Sequence, residues 1–373
     1  MARGMLKRYL SICLVAVMLL TTLLPVRVFA ADEAGFDDAN TNYEDPADTE
    51  PEEPSFTLDE PEPEAEPESD DTADEPVLPE VSDYASFLSC FKVLEGYANA
   101  YAAENGENAN ALIINYIRTG VERYTSGTWE MVCGKENTAF TAYVSEQDAA
   151  NGTSASALKR IQNFTLPNGD PADLGHVFGA MDVANYAKVQ GMTDAVVLAR
   201  ADMGSWAGDI TDLMYCAENV DIADKVDTAE TDVDILADNL RARYLGVDYG
   251  TLNHVDHSFT DTDLYGDMDA FYLTTEMNHS GMALSTIVDN YFTAGLNDVG
   301  RASYFLTNRL GGVVTKDGIR SRVLSIYTGN ALIGALESSY SLTDLSNYET
   351  LRKACCYAFA DYLFDLAGNP DGT

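Results

Sequence analysis

The residues best suited to chemistry lie between 168 and 216, in NGDPADLGHVFGAMDVANYAKVQGMTDAVVLARADMGSWAGDITDLMYC. This stretch holds His176, one of four histidines, and Trp206, one of two tryptophans. Around them stand Asp173, Asp182, Asp202, Asp209 and Asp212, set among small and apolar residues. A carboxylate on the apolar side of a helix is costly unless it is paired or used. Asp173 and His176 are three apart, so on a helix they face the same way. A carboxylate there would orient the imidazole and raise its pKa, which suits a general acid or a metal site. The same pair also suits a helix start, with Asp173 complementing the helix dipole.

Asp202, Trp206 and Asp209 follow an i, i+4, i+7 pattern and would share a face of one helix, the two acids roughly 10 Å apart along its axis. Two acids leaning together from that distance approach the spacing of an inverting glycosidase. Trp206 between them would stack a sugar ring or desolvate an acid. Asp209 and Asp212, three apart, would share a proton or a divalent cation. Gly204 and Gly208 let another backbone come close, so the helices carrying His176 and Asp209 are expected to pack there. The competing reading is a glycine-mediated helix contact with Trp206 in the core.

Further along, FTDTDLYGDMDAFYL places Thr260 and Asp263 at capping-box spacing. Asp267 lies beside the apolar stripe of that helix and would enter the site of Asp202 or Asp209, or be partnered by Arg301 or Arg309. A separate group offers zinc-ligand chemistry without an HExxH motif: His254 and His257 in a loop before Thr260, and Glu276 and His279 near the end of the next helix. GxSxG, Ser-Lys and phosphate-loop signatures are absent.

These residues need elements to position them. Apolar residues recur at helical spacing, as in Phe87, Cys90, Phe91, Leu94, Tyr97, Ala98 and Tyr101, then Leu112, Ile113, Tyr116, Ile117 and Val121. Gly106 and Asn108-Ala109-Asn110 mark the turn between them. Strand-like alternation is confined to Trp129–Cys133 and Gly312–Thr315. The spacing therefore predicts an all-α domain over 81–373 with roughly eight to eleven helices. Asp170 and Pro171 are expected to open the first central helix.

Residues 1–30 read as a signal peptide. Arg3, Lys7 and Arg8 precede an apolar run from Leu10 to Leu24, and Val28-Phe29-Ala30 supplies a cleavage site. No later run is long and apolar enough to suggest a membrane span. Residues 31–80 hold 21 Asp or Glu, no Lys or Arg and eight of the twelve prolines. Such a segment buries too little apolar surface to offset its ordering entropy and is expected to be a disordered acidic linker. The formal charge of −39 argues against nucleic acid and anionic lipid as partners. Five cysteines follow the signal segment, Cys90, Cys133, Cys216, Cys355 and Cys356. That odd number, without a CxxC, points to core thiols and to at most partial disulfide pairing. Two functions fit. One is a secreted or cell-surface interaction module whose partner is an extracellular polymer or protein surface. The other is a secreted hydrolase of a glycan or cell-wall polymer.

Overall fold

The computed structural model describes residues 81, 83–121, 127–161, 164–167, 169, 171–219, 232–244, 259–293 and 298–368. The expected signal peptide and acidic linker, and His254 and His257, lie outside the described residues. The described part is all-α, and no described helix is long and apolar enough to cross a membrane.

Helix α1 (Tyr84–Asn105) opens with a capping box between Asp83 and Ser86 and ends at Gly106, whose left-handed φ of 70° favours glycine. Asn108 caps α2 (Ala109–Arg118), as the turn residues imply. Then come α3 (Gly127–Cys133), α4 (Thr138–Asn151) and a 3-10 turn over Ala155–Arg160. The segment Trp129–Cys133 is thus helical, not a strand. Its apolar residues are too few to tell a short helix from a short strand by spacing alone. Nor is Gly312–Thr315 a strand. Thr315 instead caps the helix that follows it. The described strands are two-residue pieces, β1 (Phe164–Thr165) and β2 (Pro171–Ala172), paired antiparallel.

The central helices are α5 (Leu174–Val189), α6 (Asp194–Met203), α7 (Trp206–Asn219) and α9 (Asp261–His279), with α8 (Val233–Tyr244) between the last two. Helix α5 starts three residues later than Asp170-Pro171 suggest. Pro171 is held in β2, and Asp173 is the residue whose side chain accepts from the His176 backbone N–H. Thr260 and Asp263 form the capping box of α9 that their spacing predicts. The chain closes with α10 (Leu284–Thr293), α11 (Asp298–Asn308), α12 (Lys316–Gly329), α13 (Ala331–Ser339) and α14 (Tyr348–Leu366). The described helices exceed the expected number because several are short, and because 194–219 is two helices separated at Gly204-Ser205.

The apolar faces build two adjoining cores. The first joins Phe87, Phe91, Ile113, Phe178 and Met181 to Leu273, Ile287 and Phe292. The second joins Trp206, Ile210 and Met214 to Leu264, Met268, Phe305, Tyr327 and Phe359. Helix α9 serves both, giving Leu264 and Met268 to one and Ala270 and Leu273 to the other.

Gly204 lies against α5, as the glycine spacing suggests. A Cβ there would sit 2.7 Å from Val183 Cγ2. Gly208 is used differently. A Cβ there would meet the Met203 carbonyl oxygen at 2.4 Å, so this glycine accommodates the break between α6 and α7. Replacing Gly204 by leucine overpacks the α5 contact and is expected to cost about 1–3 kcal/mol. A lowered midpoint in thermal denaturation checks this, and an unchanged midpoint contradicts the contact.

Candidate functional site

Three helices bring their N-terminal turns together. His176 is the third residue of α5, Asp209 the fourth of α7, and Asp263 and Asp267 stand in the first two turns of α9. The positive ends of the helix dipoles favour acids at such positions. The His176 ring can lie on α9 because residue 266 is glycine. A Cβ there would be 2.8 Å from His176 Cδ2.

The imidazole is held from both sides. His176 Nε2 is 2.9 Å from Asp267 Oδ1, and Nδ1 faces Asp263 Oδ1 at 3.6 Å. Donor atoms of His176, Asp209 and Asp267 all lie within 4.8 Å of one another. The Asp267 side chain is fully buried, Asp209 is 9 % exposed and the His176 side chain 13 %. Burial alone would lower the imidazole pKa. The hydrogen bond and charge of Asp267, with the charges of Asp263 and Asp173, overcome it and raise the value to about 9. Burial pushes Asp209 well above the usual carboxylate range, and the charges of Asp267, Asp263 and Asp212 push it further. Asp267 also rises through burial, although its hydrogen bond with His176 opposes the change. Asp209 Oδ2 and Asp267 Oδ2 are buried and accept no hydrogen bond from an N–H or hydroxyl donor. Such a group can share one proton between the carboxyls or bind a cation.

The other candidates go elsewhere. Asp173 caps the backbone of its own helix at 2.9 Å. Asp202 is joined by both arms of the Arg309 guanidinium, with Nε at 2.8 Å from Oδ1, and accepts the Trp206 indole N–H at 2.8 Å. Trp206 itself is 1 % exposed and stacked on Phe359, so its ring belongs to the core, and only its edge reaches a cavity of about 360 Å³ that Asp202, Lys188 and His279 also line. The shared face expected for Asp202 and Asp209 is interrupted where α6 gives way to α7. Asp212 is half-buried one turn beyond Asp209 and adds negative charge. Glu276 accepts from the Tyr304 hydroxyl, and the exposed His279 contacts the Thr275 carbonyl at 2.7 Å, both near the far end of α9.

Asp263 was legible as a cap. Its second role beside His176 depends on which helix packs against α9, and its signal is the i, i+4 repeat with Asp267 around Gly266. Cys133, Cys355 and Cys356 are buried and Cys90 is half-buried, as expected for core thiols.

Fold and site together define an all-α protein whose central helices meet at a buried histidine–carboxylate cluster. Residues 181–370 match the family described as YkzU uncharacterised protein, and the chain belongs to that family. The match includes Asp209, Asp263 and Asp267 and begins five residues after His176. No curated protein and no solved structure matches the chain.

Proposed function

We propose that this is an exported, acidic helical interaction module that binds an extracellular polymer or protein surface. One observation carries the reading: Asp202 and Trp206, the residues best suited to gripping a sugar, are committed to Arg309 and to the core. The folded segment 81–373 has 40 acids against 18 basic residues. A surface of that charge favours a cationic partner and an encounter weakened by salt. The apolar run and cleavage signal of residues 1–30 support export.

A second reading, hydrolysis of a glycan or cell-wall polymer, is favoured by the meeting of His176 with Asp209 and Asp267. In that reading the neutral Asp209 would be the acid, and Asp267 with His176 would handle the water proton. The small exposure of the cluster favours the first reading over the second.

Incubating the purified protein with insoluble bacterial cell walls separates the two. The module is expected to sediment with the walls, to be released by salt, and to free no soluble fragments. Fragment release that is lost in folded Asp209→Asn and His176→Ala variants would replace the module with the hydrolase. Neither sedimentation nor release would overturn the wall surface as partner.

A further inference from the structure

Among the described residues the buried acids follow a pattern, with one cluster as the exception. Asp182 pairs with Arg118, Asp202 with Arg309, Asp269 with Arg301, Asp361 with Arg320, and Glu337 with Arg352. Asp148 is held by the Thr153 hydroxyl and the backbone N–H groups of Ala155 and Ser156. Asp263 Oδ2 likewise accepts from the Thr260 hydroxyl and backbone N–H. The described buried carboxylates left are Asp209 and Asp267, which with Asp263 lie around His176. Among the described residues no Lys or Arg forms an ion pair with any of them. Even with one proton shared between Asp209 and Asp267, one imidazolium does not balance the remaining negative charge of the three acids around it. The two orphan oxygens, Asp209 Oδ2 and Asp267 Oδ2, belong to side chains at least nine-tenths buried.

We propose that His176, Asp209 and Asp267 bind a first-row transition-metal dication of the zinc class, with Asp263 orienting the imidazole from behind. The donor set selects the ion. Calcium and magnesium take oxygen ligands, whereas an imidazole with carboxylates suits zinc, cobalt, iron or nickel. Donor atoms around a tetrahedral ion stand roughly 3.4 Å apart for bonds of about 2.1 Å. Atoms within 4.8 Å of one another reach that arrangement by small side-chain movements. Binding transfers the Nε2 lone pair to the ion and releases the proton from that nitrogen, together with any proton held between the carboxyls. Nδ1 then keeps its hydrogen, directed at Asp263, which is the usual support for a metal-bound histidine. Three protein ligands leave a fourth position, and the partial exposure of His176 marks the side from which the ion enters. The site stands whether the protein binds a surface or cuts one.

The full chain, stripped with EDTA and titrated with CoCl2, tests this. About one Co2+ per chain should bind with the visible bands of low-coordinate cobalt and be displaced by ZnCl2. His176→Ala and Asp267→Asn should lose the bands, and Asp263→Asn should weaken binding about 10–100-fold. Asp209→Asn keeps the side-chain volume and introduces no buried charge, so this variant is expected to fold and should still lose the ion. A His254→Ala/His257→Ala double variant should bind normally. The proposal is overturned by the absence of any band together with a melting temperature indifferent to EDTA and ZnCl2, which assigns the cluster to a shared proton. It is equally overturned by full binding in folded Asp209→Asn, or by loss in the His254/His257 double variant.

Discussion

Replacing Arg118 by methionine should lower the unfolding free energy at neutral pH by about 3–5 kcal/mol, because it strands the Asp182 carboxylate in the core. Arg118 Nε donates to Asp182 Oδ2 at 2.5 Å, and Nη2 donates to the Gly134 carbonyl at 2.8 Å. Neither partner is exposed enough for water to replace the guanidinium. Burial raises the Asp182 pKa to about 6, even though Arg118 acts to lower it. Without Arg118 the carboxyl rises further and takes up a proton more readily. The loss should therefore be smaller at pH 5 than at pH 8, since a neutral acid tolerates burial better than a carboxylate. Urea denaturation at the two pH values measures this. In the double variant Arg118→Met/Asp182→Leu most of the stability should return, because a buried pair is often matched by apolar residues. An equal loss at both pH values, persisting in the double variant, would show that packing and not charge sets the cost.

Trp206→Ala should destabilise the fold by about 3–5 kcal/mol, the usual cost of emptying a buried aromatic site. The indole stacks on Phe359 with ring centroids 5.4 Å apart and meets Phe305 edge-on at 6.3 Å. It also donates to Asp202, whose remaining bonds come from Arg309. Trp206→Phe keeps a ring in the stack and removes the donor, so it should cost only about 1–2 kcal/mol. These variants also bear on function. A surface-gripping tryptophan, when lost, would weaken ligand binding and leave the melting temperature alone. The core role of Trp206 predicts the reverse: melting falls, and the fraction still folded binds as the wild type does.

The contrast between Trp206 and His176 shows what local sequence can carry. Apolar spacing revealed the helical class, Asn108 marked the turn before a helix, and Thr260 marked a helix start because capping is decided within three residues. His176 and Asp209 drew notice as polar groups in apolar surroundings, and Asp267 as an acid beside a core stripe. The partner of each was out of reach. Asp267 lies 91 residues from His176, and Arg309 lies 107 residues from Asp202. Neither separation leaves a periodic trace. The face shared by Asp202, Trp206 and Asp209 was a sound inference for one unbroken helix. It failed at Gly204-Ser205, where glycine allows a change of direction that spacing does not report. Pro171 misled in the opposite way, since its fixed φ suits a first helical turn and an extended pair equally.

The passage of α9 through both cores has a consequence for how the chain acquires its structure. The first core takes residues up to Met181, then waits for Ala270, Leu273 and the whole apolar face of α10. Between these, residues from Trp206 to Met268 belong to the second core. In a protein made from its N-terminus, the early helices present an unfinished apolar groove until Phe292 has emerged. No single cut divides the sequence into two self-sufficient halves, and a fragment beginning at residue 181 would start inside α5 without the core that α5 completes. With its cores interleaved in this way, the described part is expected to unfold in one cooperative transition, with the His176 cluster at the seam between the two cores.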